Sequence, residues 1–282
     1  MNLDIIERKA AETLISLALA EDVGSGDVTT DSLIPPHDRR TAYMITKADG
    51  VIAGLEVAQM VFSKLDRDLK WYPQVNDGEM VPKGTIIVRF SASYRAILTG
   101  ERTALNFLQR MSGIASESRR YADAVKGFKT KILDTRKTLP GFRLLDKYAV
   151  KAGGANNHRI GLFDMVMIKD NHIAIAGGIG PAVKTVRNAI GHSLKVEVET
   201  TTLDEVIEAL EAGADIIMLD NMDNDTMTQA VQMIQGKAET EASGNMSLSR
   251  LQEVAATGVD YISVGALTHS VQALDISQRI ES

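Results

Sequence analysis

Cations and carboxylates recur in this sequence directly after short apolar runs, a placement that suits chemistry on a small anion. They are Asp134-Thr-Arg-Lys137, Lys169-Asp-Asn-His172, Glu197 with Glu199, Asp220-Asn221, Glu239 with Glu241 running on to Ser243-Gly-Asn245, and Gly265-Ala266. Arginine and lysine bind carboxylate and phosphate through charge-assisted hydrogen bonds, while acids suit sugar hydroxyls or a hard cation such as magnesium. From Asp134 to Lys169 seven bases (Arg136, Lys137, Arg143, Lys147, Lys151, Arg159, Lys169) meet three acids (Asp134, Asp146, Asp164), in a chain of net charge -6. A local positive field in an acidic protein points to a small, highly anionic ligand. It argues against nucleic acid, which needs a broad basic face.

Singly, each group has an ordinary structural explanation. An Arg-Lys pair after a strand is usually a solvated loop. His158 and His172 read as satisfied structural histidines, and no two histidines have the i, i+4 spacing of a helical metal site. Gly177-Gly-Ile-Gly180 resembles a phosphate loop, but the simpler reading is a helix lead-in before Pro181. The coincidence of both charge signs at the ends of successive strands outweighs these readings.

Composition narrows the chemistry. The chain has no cysteine, which removes disulfides, thiolate nucleophiles and cysteine metal sites, and fits a reducing cytoplasm. Its first residues mix charges through their apolar positions, unlike a signal peptide. No apolar run reaches the 18 residues or so that a membrane span needs. With 282 residues and 44% hydrophobic content, there is room for one barrel and a smaller appendage.

The elements that must position these groups follow from periodicity. Ile5, Ile6, Ala10, Leu14, Leu17 and Ala18 have a helical period ending at Asp22-Val-Gly-Ser-Gly-Asp27. From Arg40 to about Phe90, short apolar pieces (Ala42–Ile45, Val51–Ala53, Thr85–Val88) alternate with tight turns around one helix, Gly54 to Leu65. From Gly100 a helix carrying Leu105, Leu108, Met111 and Ile114 leads into alternating strands and helices. The strands are expected at Lys131–Asp134, Met165–Ile168, Leu194–Val198, Asp215–Leu219, Ala238–Ala242 and Tyr261–Val264. Helices are expected near Phe142–Ala152, Pro181–Ile190, Leu203–Ala212, Thr226–Ile234 and Leu248–Ala256. Pro181 reads as a first helical residue, Thr202 with Glu205 as a capping box and Ser247 as an N-cap, while Gly191, Gly213, Gly236 and Gly258 sit where left-handed caps belong.

This pattern predicts an α/β fold: a parallel (β/α) barrel preceded by a small N-terminal α+β domain. The small domain is expected over 1–112, with 270–282 packing back on it, and the barrel over 113–269. Barrel enzymes work at the C-terminal ends of their strands. The alternation in Leu194–Glu199 and Ala238–Ala242 turns Glu197, Glu199, Glu239 and Glu241 toward the lumen.

The motifs also resemble a known family. Ile132-Leu-Asp-Thr-Arg-Lys-Thr-Leu-Pro-Gly141, Lys147–Val150, Gly153-Gly154, Asn157-His-Arg159 and Ile168–His172 are similar to quinolinate phosphoribosyltransferases. So are Glu21-Asp22, Gly26–Thr30, Gly100–Asn106, Val196–Glu199, Leu219–Asn221, Glu241–Gly244 and Ile262–Gly265. The resemblance runs in order through nearly the whole chain and implies an open parallel (β/α) barrel of about seven strands with an N-terminal α+β sandwich domain. It implies phosphoribosyl transfer from phosphoribosyl pyrophosphate (PRPP) to quinolinate with loss of carbon dioxide, giving nicotinate mononucleotide for NAD synthesis. It implies that Arg136, Arg159, Lys169 and His158 hold the two quinolinate carboxylates, with Arg102 supplied by the partner of a homodimer, alone or in an assembly of such dimers. Thr135 also lines the site, and Lys137 lies at the pyrophosphate and reacting centre. Glu199 and Asp220 hold the ribose hydroxyls, directly or through Mg2+, which they bind themselves or through water; no organic cofactor is implied. Ser243, Gly244 and Asn245 with Val264, Gly265 and Ala266 cradle the 5′-phosphate. Asn245 and Ala155 stand where the family more often has glycine.

Three other readings compete. A barrel aldolase would use Lys137 or Lys169 as a Schiff-base nucleophile. A carrier or binding module is suggested by Thr46–Gly50 and Asp77–Gly84, which resemble lipoyl-type hairpins but explain only the first hundred residues. A phosphoribosyltransferase acting on another base without decarboxylation is the closest alternative.

Overall fold

Asp4 opens the first helix. Its carboxylate accepts the N–H groups of Ile6 and Glu7, and Glu7 reaches back to the N–H of Asp4 in a capping box, so α1 runs Ile5–Val23. The computed structural model describes residues 1–191 and 193–281. The chain divides into two compact units, one of Met1–Arg119, Thr138–Gly154 and Ala266–Ser282, the other of Arg120–Lys137 and Ala155–Gly265.

In the first unit, α2 (Val28–Leu33) follows α1, and β1 (Arg39–Thr46) pairs antiparallel with β5 (Ile86–Ser93). The strand β12 (Ile276–Ile280) lies on the other side of β1, and β3 (Lys70–Pro73) on the other side of β5. A two-stranded piece joins β2 (Gly50–Val51) to β4 (Met80–Val81). Sequence periodicity missed β3 and β4, which are short and largely exposed, and β12, whose second inward position is the polar Gln278, so that its alternation is not an apolar one. The helix α3 (Leu55–Leu65) lays Phe62 against Phe90, with ring centroids 4.7 Å apart, and Trp71 joins from β3 at 5.2 Å from Phe90. The long helix α4 (Tyr94–Ala124) starts before Gly100 and buries Leu105, Leu108, Met111 and Ile114. It receives α5 (Arg143–Ala152): Arg110 forks onto the buried Asp146 at 3.1 and 2.9 Å, and Phe107 stacks on Phe142.

The second unit is a six-stranded parallel sheet in the order β6-β11-β10-β9-β8-β7. Its strands are β6 (Lys131–Leu133), β7 (Val166–Ile168), β8 (Val196–Thr200), β9 (Ile216–Asp220), β10 (Glu239–Ser243) and β11 (Tyr261–Ser263). Asn156 forms a parallel bridge to Leu133, a seventh station beyond β6. The connections carry α6 (Asp170–Ala176), α7 (Ile179–Ala189), α8 (Leu203–Glu211), α9 (Asn224–Ile234), a 3-10 turn (Leu248–Arg250) and α10 (Leu251–Ala256), and α11 (Ala266–His269) follows β11. This is the parallel barrel that the alternating pattern predicts, open as the resemblance implies. Val196 and Val198 are buried, and so is Glu197 between them, as expected of a parallel sheet covered on both faces.

The capping signals fared unevenly. Thr202 and Glu205 do form a capping box. Helix α7 begins at Ile179, so Pro181 is its third residue and not its first. Gly177 and Gly178 form the joint between α6 and α7, which makes the glycine run a helix lead-in. Ser247 makes no side-chain cap because its hydroxyl meets Ser249. Gly213, Gly236 and Gly258 have positive φ, but Gly191 does not, because α7 ends on extended Ile190.

Candidate active site

The inner face of the second unit is ionic in three levels. At the start of the strands Lys195 pairs with Glu239 at 2.5 Å, and Tyr261 donates to the same glutamate at 2.9 Å. At mid-height Glu197 and Glu241 meet at His158. At the strand ends Lys169 reaches Glu199 at 2.7 Å. Strand alternation produces this arrangement: Lys195, Glu197 and Glu199 share one face of β8, and Glu239 and Glu241 one face of β10.

Arg136 and Arg159 are the most informative pair. In each the Nε is buried and meets no acceptor among the described residues. Arg159 rests its terminal nitrogens on the carbonyl of Met165 at 3.1 Å and the sulfur of Met167 at 3.6 Å. Burial holds its pKa below the ordinary arginine value, and the neighbouring charge of Arg136 depresses it further, while Glu197 and Asp164 oppose both. Two like charges held together with unsatisfied buried donors are costly unless an anion joins them.

His158 has both ring nitrogens engaged within the chain. Its Nε2 lies 3.1 Å from Glu197 and 3.2 Å from Glu241, and its Nδ1 accepts the N–H of Arg159 at 2.8 Å. Burial works against a charge on the ring, but the contacts with Glu197 and then Glu241 outweigh it and push His158 up to about 10. Burial, and next the charge of Glu241, push Glu197 up to about 7. Both shifts belong to one coupled pair, His158 and Glu197. With Nδ1 accepting a backbone N–H, the ring presents Nε2–H to the carboxylates. The trio has the residue types and closeness of a metal centre.

The remaining groups flank this centre. Thr135 accepts the N–H of Lys137 at 3.1 Å and turns the chain after β6. Asp220, at the end of β9, accepts Asn221 Nδ2 at 2.7 Å. Ser243 pairs with Asp220 across β10 and β9, and its carbonyl accepts the N–H of Asn221 at 3.0 Å. Gly244 has φ +91°, and a Cβ there would stand 2.1 Å from Asn221 Oδ1, so the two loops close on one another only with glycine. Asn245 has φ +49° and sits 3.5 Å from Asn221 Oδ1. Asparagine tolerates the left-handed region, which explains how it replaces the glycine more common in similar sequences. Ala155 is buried at an ordinary φ and needs no such tolerance. Val264 is buried, donating to Leu133 at 2.9 Å, and Gly265 follows it.

Arg143, Lys147 and Lys151 lie on α5 in the first unit, where Lys151 pairs with Glu7 at 3.0 Å. Arg102 is exposed on α4, also in the first unit, and Ala266 opens α11 there. Glu197, Glu241 and Asn221 stand among the strand-end groups of the sequence, but the sequence assigns them no role in the site. The inward alternation of the two glutamates was the available signal for them, whereas nothing local marks Asn221 as the partner of Gly244.

The family model "Quinolinate phosphoribosyl transferase, C-terminal domain" matches residues 114–279, and the corresponding N-terminal domain matches 27–112. The chain belongs to the quinolinate phosphoribosyltransferase family. Among curated relatives, this family member is 47% identical over 290 residues to quinolinate phosphoribosyltransferase [decarboxylating] 2, mitochondrial, of Nicotiana glauca, covering 95% of this chain and 82% of that one. It is 43% identical to the probable nicotinate-nucleotide pyrophosphorylase [carboxylating] of Bacillus subtilis, covering 95% and 92%. Among solved structures, nicotinate-nucleotide pyrophosphorylase from Francisella tularensis superposes with a TM-score of 0.94 at 41% identity, covering 99% of this chain and all of that one. Family membership agrees with the reading made from the motifs.

Proposed function

We propose that this transferase joins quinolinate to PRPP and releases nicotinate mononucleotide, carbon dioxide and pyrophosphate, a step of NAD biosynthesis. The observation that carries the reading is the Arg136–Arg159 pair, whose buried unsatisfied donors and mutual repulsion call for a ligand with two adjacent carboxylates. Lys169 adds a cation at the strand ends, and Lys137 stands two residues from Thr135 on the same turn.

In the mechanism we infer, the arginines bind and orient the pyridine so that its nitrogen faces the anomeric carbon of PRPP. Pyrophosphate leaves with Lys137 stabilising its charge, and the nitrogen attacks an oxocarbenium-like carbon. The 2-carboxylate then departs as carbon dioxide, leaving its bonding electrons on C2 as an ylide stabilised by the adjacent pyridinium nitrogen, and a proton from water on C2 completes nicotinate mononucleotide. Ser243, Gly244 and Asn245 with Val264, Gly265 and Ala266 offer backbone N–H groups to the 5′-phosphate. Glu199 and Asp220 are oxygen donors at the ends of adjacent strands, each partly exposed, and fit magnesium, which takes one or two carboxylates and completes its shell with water and substrate oxygens. When bound, that ion would supply charge neutralisation for pyrophosphate and ribose. Lys169 bonded to Glu199 is not the dry amine an aldolase needs.

The active form is read as a homodimer in which Arg102 serves the partner's barrel, and the location as cytoplasmic. Among the described residues no helix is long and apolar enough to cross a membrane. The deciding assay is release of labelled carbon dioxide from quinolinate with and without PRPP. Release that requires PRPP is expected; release without it, or none in its presence, would overturn the reading.

A further inference from the structure

His158, Glu197 and Glu241 have side chains only 7%, 0% and 1% exposed, so the two carboxylates lie too deep to touch a substrate. Two buried acids beside one ring are a costly arrangement, tolerated where the geometry serves a purpose. Here they come from different strands, β8 and β10, with β9 between them, and converge on one atom.

That convergence fixes the rotation of the ring. With Nε2 aimed between the two carboxylates, Nδ1 faces the backbone and accepts the N–H of Arg159 at 2.8 Å, while the N–H of His158 itself donates to the buried Asp134 at 2.8 Å. The peptide units at 158 and 159 are thereby held from both sides. From them Arg159 extends to its braces on Met165 and Met167. The charge of Glu197 also faces Arg159 and offsets part of the repulsion from Arg136.

We propose that Glu197 and Glu241 are positioning residues, which act through His158 to hold Arg159 beside Arg136 in the geometry that receives a dicarboxylate. The inference rests on the reading of the two arginines as the quinolinate site. It assigns work to two residues that never meet the ligand.

Glu241 is the cleaner handle, since Glu197 lies two residues from Glu199. Steady-state kinetics on Glu241→Leu, Glu241→Asp and Glu241→Gln, varying quinolinate and PRPP separately, test the idea. Glu241→Leu is expected to raise KM for quinolinate about tenfold or more, the scale of one lost charge-assisted hydrogen bond, with KM for PRPP within about twofold. Glu241→Asp, which keeps the charge but withdraws it from the ring, should fall between, and Glu241→Gln, whose oxygen can still accept Nε2–H, should recover most of the affinity. The 15N signals of His158 should differ between the parent enzyme and Glu241→Leu. An unchanged KM for quinolinate in a folded Leu or Asp variant overturns the proposal. So does an equal rise for both substrates, which would mark a merely structural role. Should Glu241→Leu fail to fold, the Asp and Gln variants decide by the same criteria. A parent enzyme that does not turn over quinolinate at all would instead refute the site reading beneath it.

Discussion

Lys169 Nζ sits 2.7 Å from Glu199 Oε2, joining a cation assigned to the substrate carboxylates with an acid assigned to ribose and magnesium. An ammonium at that distance competes with a metal ion for the same oxygen. Lys169→Met should therefore lower the magnesium concentration giving half-maximal activity, even as turnover falls. A magnesium requirement that is unchanged or higher in the variant would show that the two groups are not in competition.

Arg136 and Arg159 should each fail when replaced by lysine, because an ammonium cannot reproduce a planar two-donor fork. Losing charge-assisted hydrogen bonds of about 1.5–3 kcal/mol corresponds to roughly a ten- to hundredfold weaker quinolinate complex. Since the two guanidiniums repel, Arg136→Met should also raise the melting temperature of the ligand-free protein. Calorimetric titration and thermal unfolding check both halves; unchanged quinolinate affinity in both lysine variants removes the pair from the site.

The raised pKa of His158 makes stability depend on pH. His158 is raised from 6.5 in the reference state to about 10. A group raised on folding adds stability that is fully present below its unfolded value and is lost as pH rises through its folded one. The urea midpoint should thus fall between about pH 6.5 and 10, the interval set by those two pKa values, and fall less in His158→Gln. Equal slopes in the two proteins would count against the raised pKa.

Gly244→Ala should damage the phosphate loop, because the new Cβ would stand 2.1 Å from Asn221 Oδ1 at a φ of +91°. Backbone strain of about 1–3 kcal/mol is expected, showing as a raised KM for PRPP with quinolinate binding little altered. Asn245→Gly, at φ +49°, should be tolerated. If Gly244→Ala leaves KM for PRPP unchanged, the loop does not hold the phosphate.

Arg102→Ala and Lys137→Ala should each be nearly inactive yet complement when mixed, if Arg102 serves the partner's barrel. A mixed dimer regains one intact site while the other carries both defects. Random re-pairing of equal amounts makes half the dimers mixed, so about a quarter of parental activity should return. Subunit exchange must first be shown with differently tagged chains. No recovery after proven exchange would mean that Arg102 serves its own barrel or none.

Much of this protein is determined by its sequence alone. Apolar alternation and the pitch between strands are local properties, so the parallel βα units and the inward faces of Glu197, Glu199, Glu239 and Glu241 were legible from them. The motif Asp134-Thr-Arg-Lys137 and its companions identified the family for a related reason: chemistry at strand ends needs particular residue types at particular places. Short exposed strands such as β3 and β4 were not legible, because a few residues without alternation carry no periodic signal. Only the tertiary structure decided that Glu197 and Glu241, 44 residues apart in sequence, converge on His158, that Nδ1 of that ring is taken by Arg159, and that Asn221 forces glycine at 244. Those relations depend on which strands become neighbours and at what register. Neighbours and register are settled by packing the whole sheet under its helices, and no window of sequence contains that information.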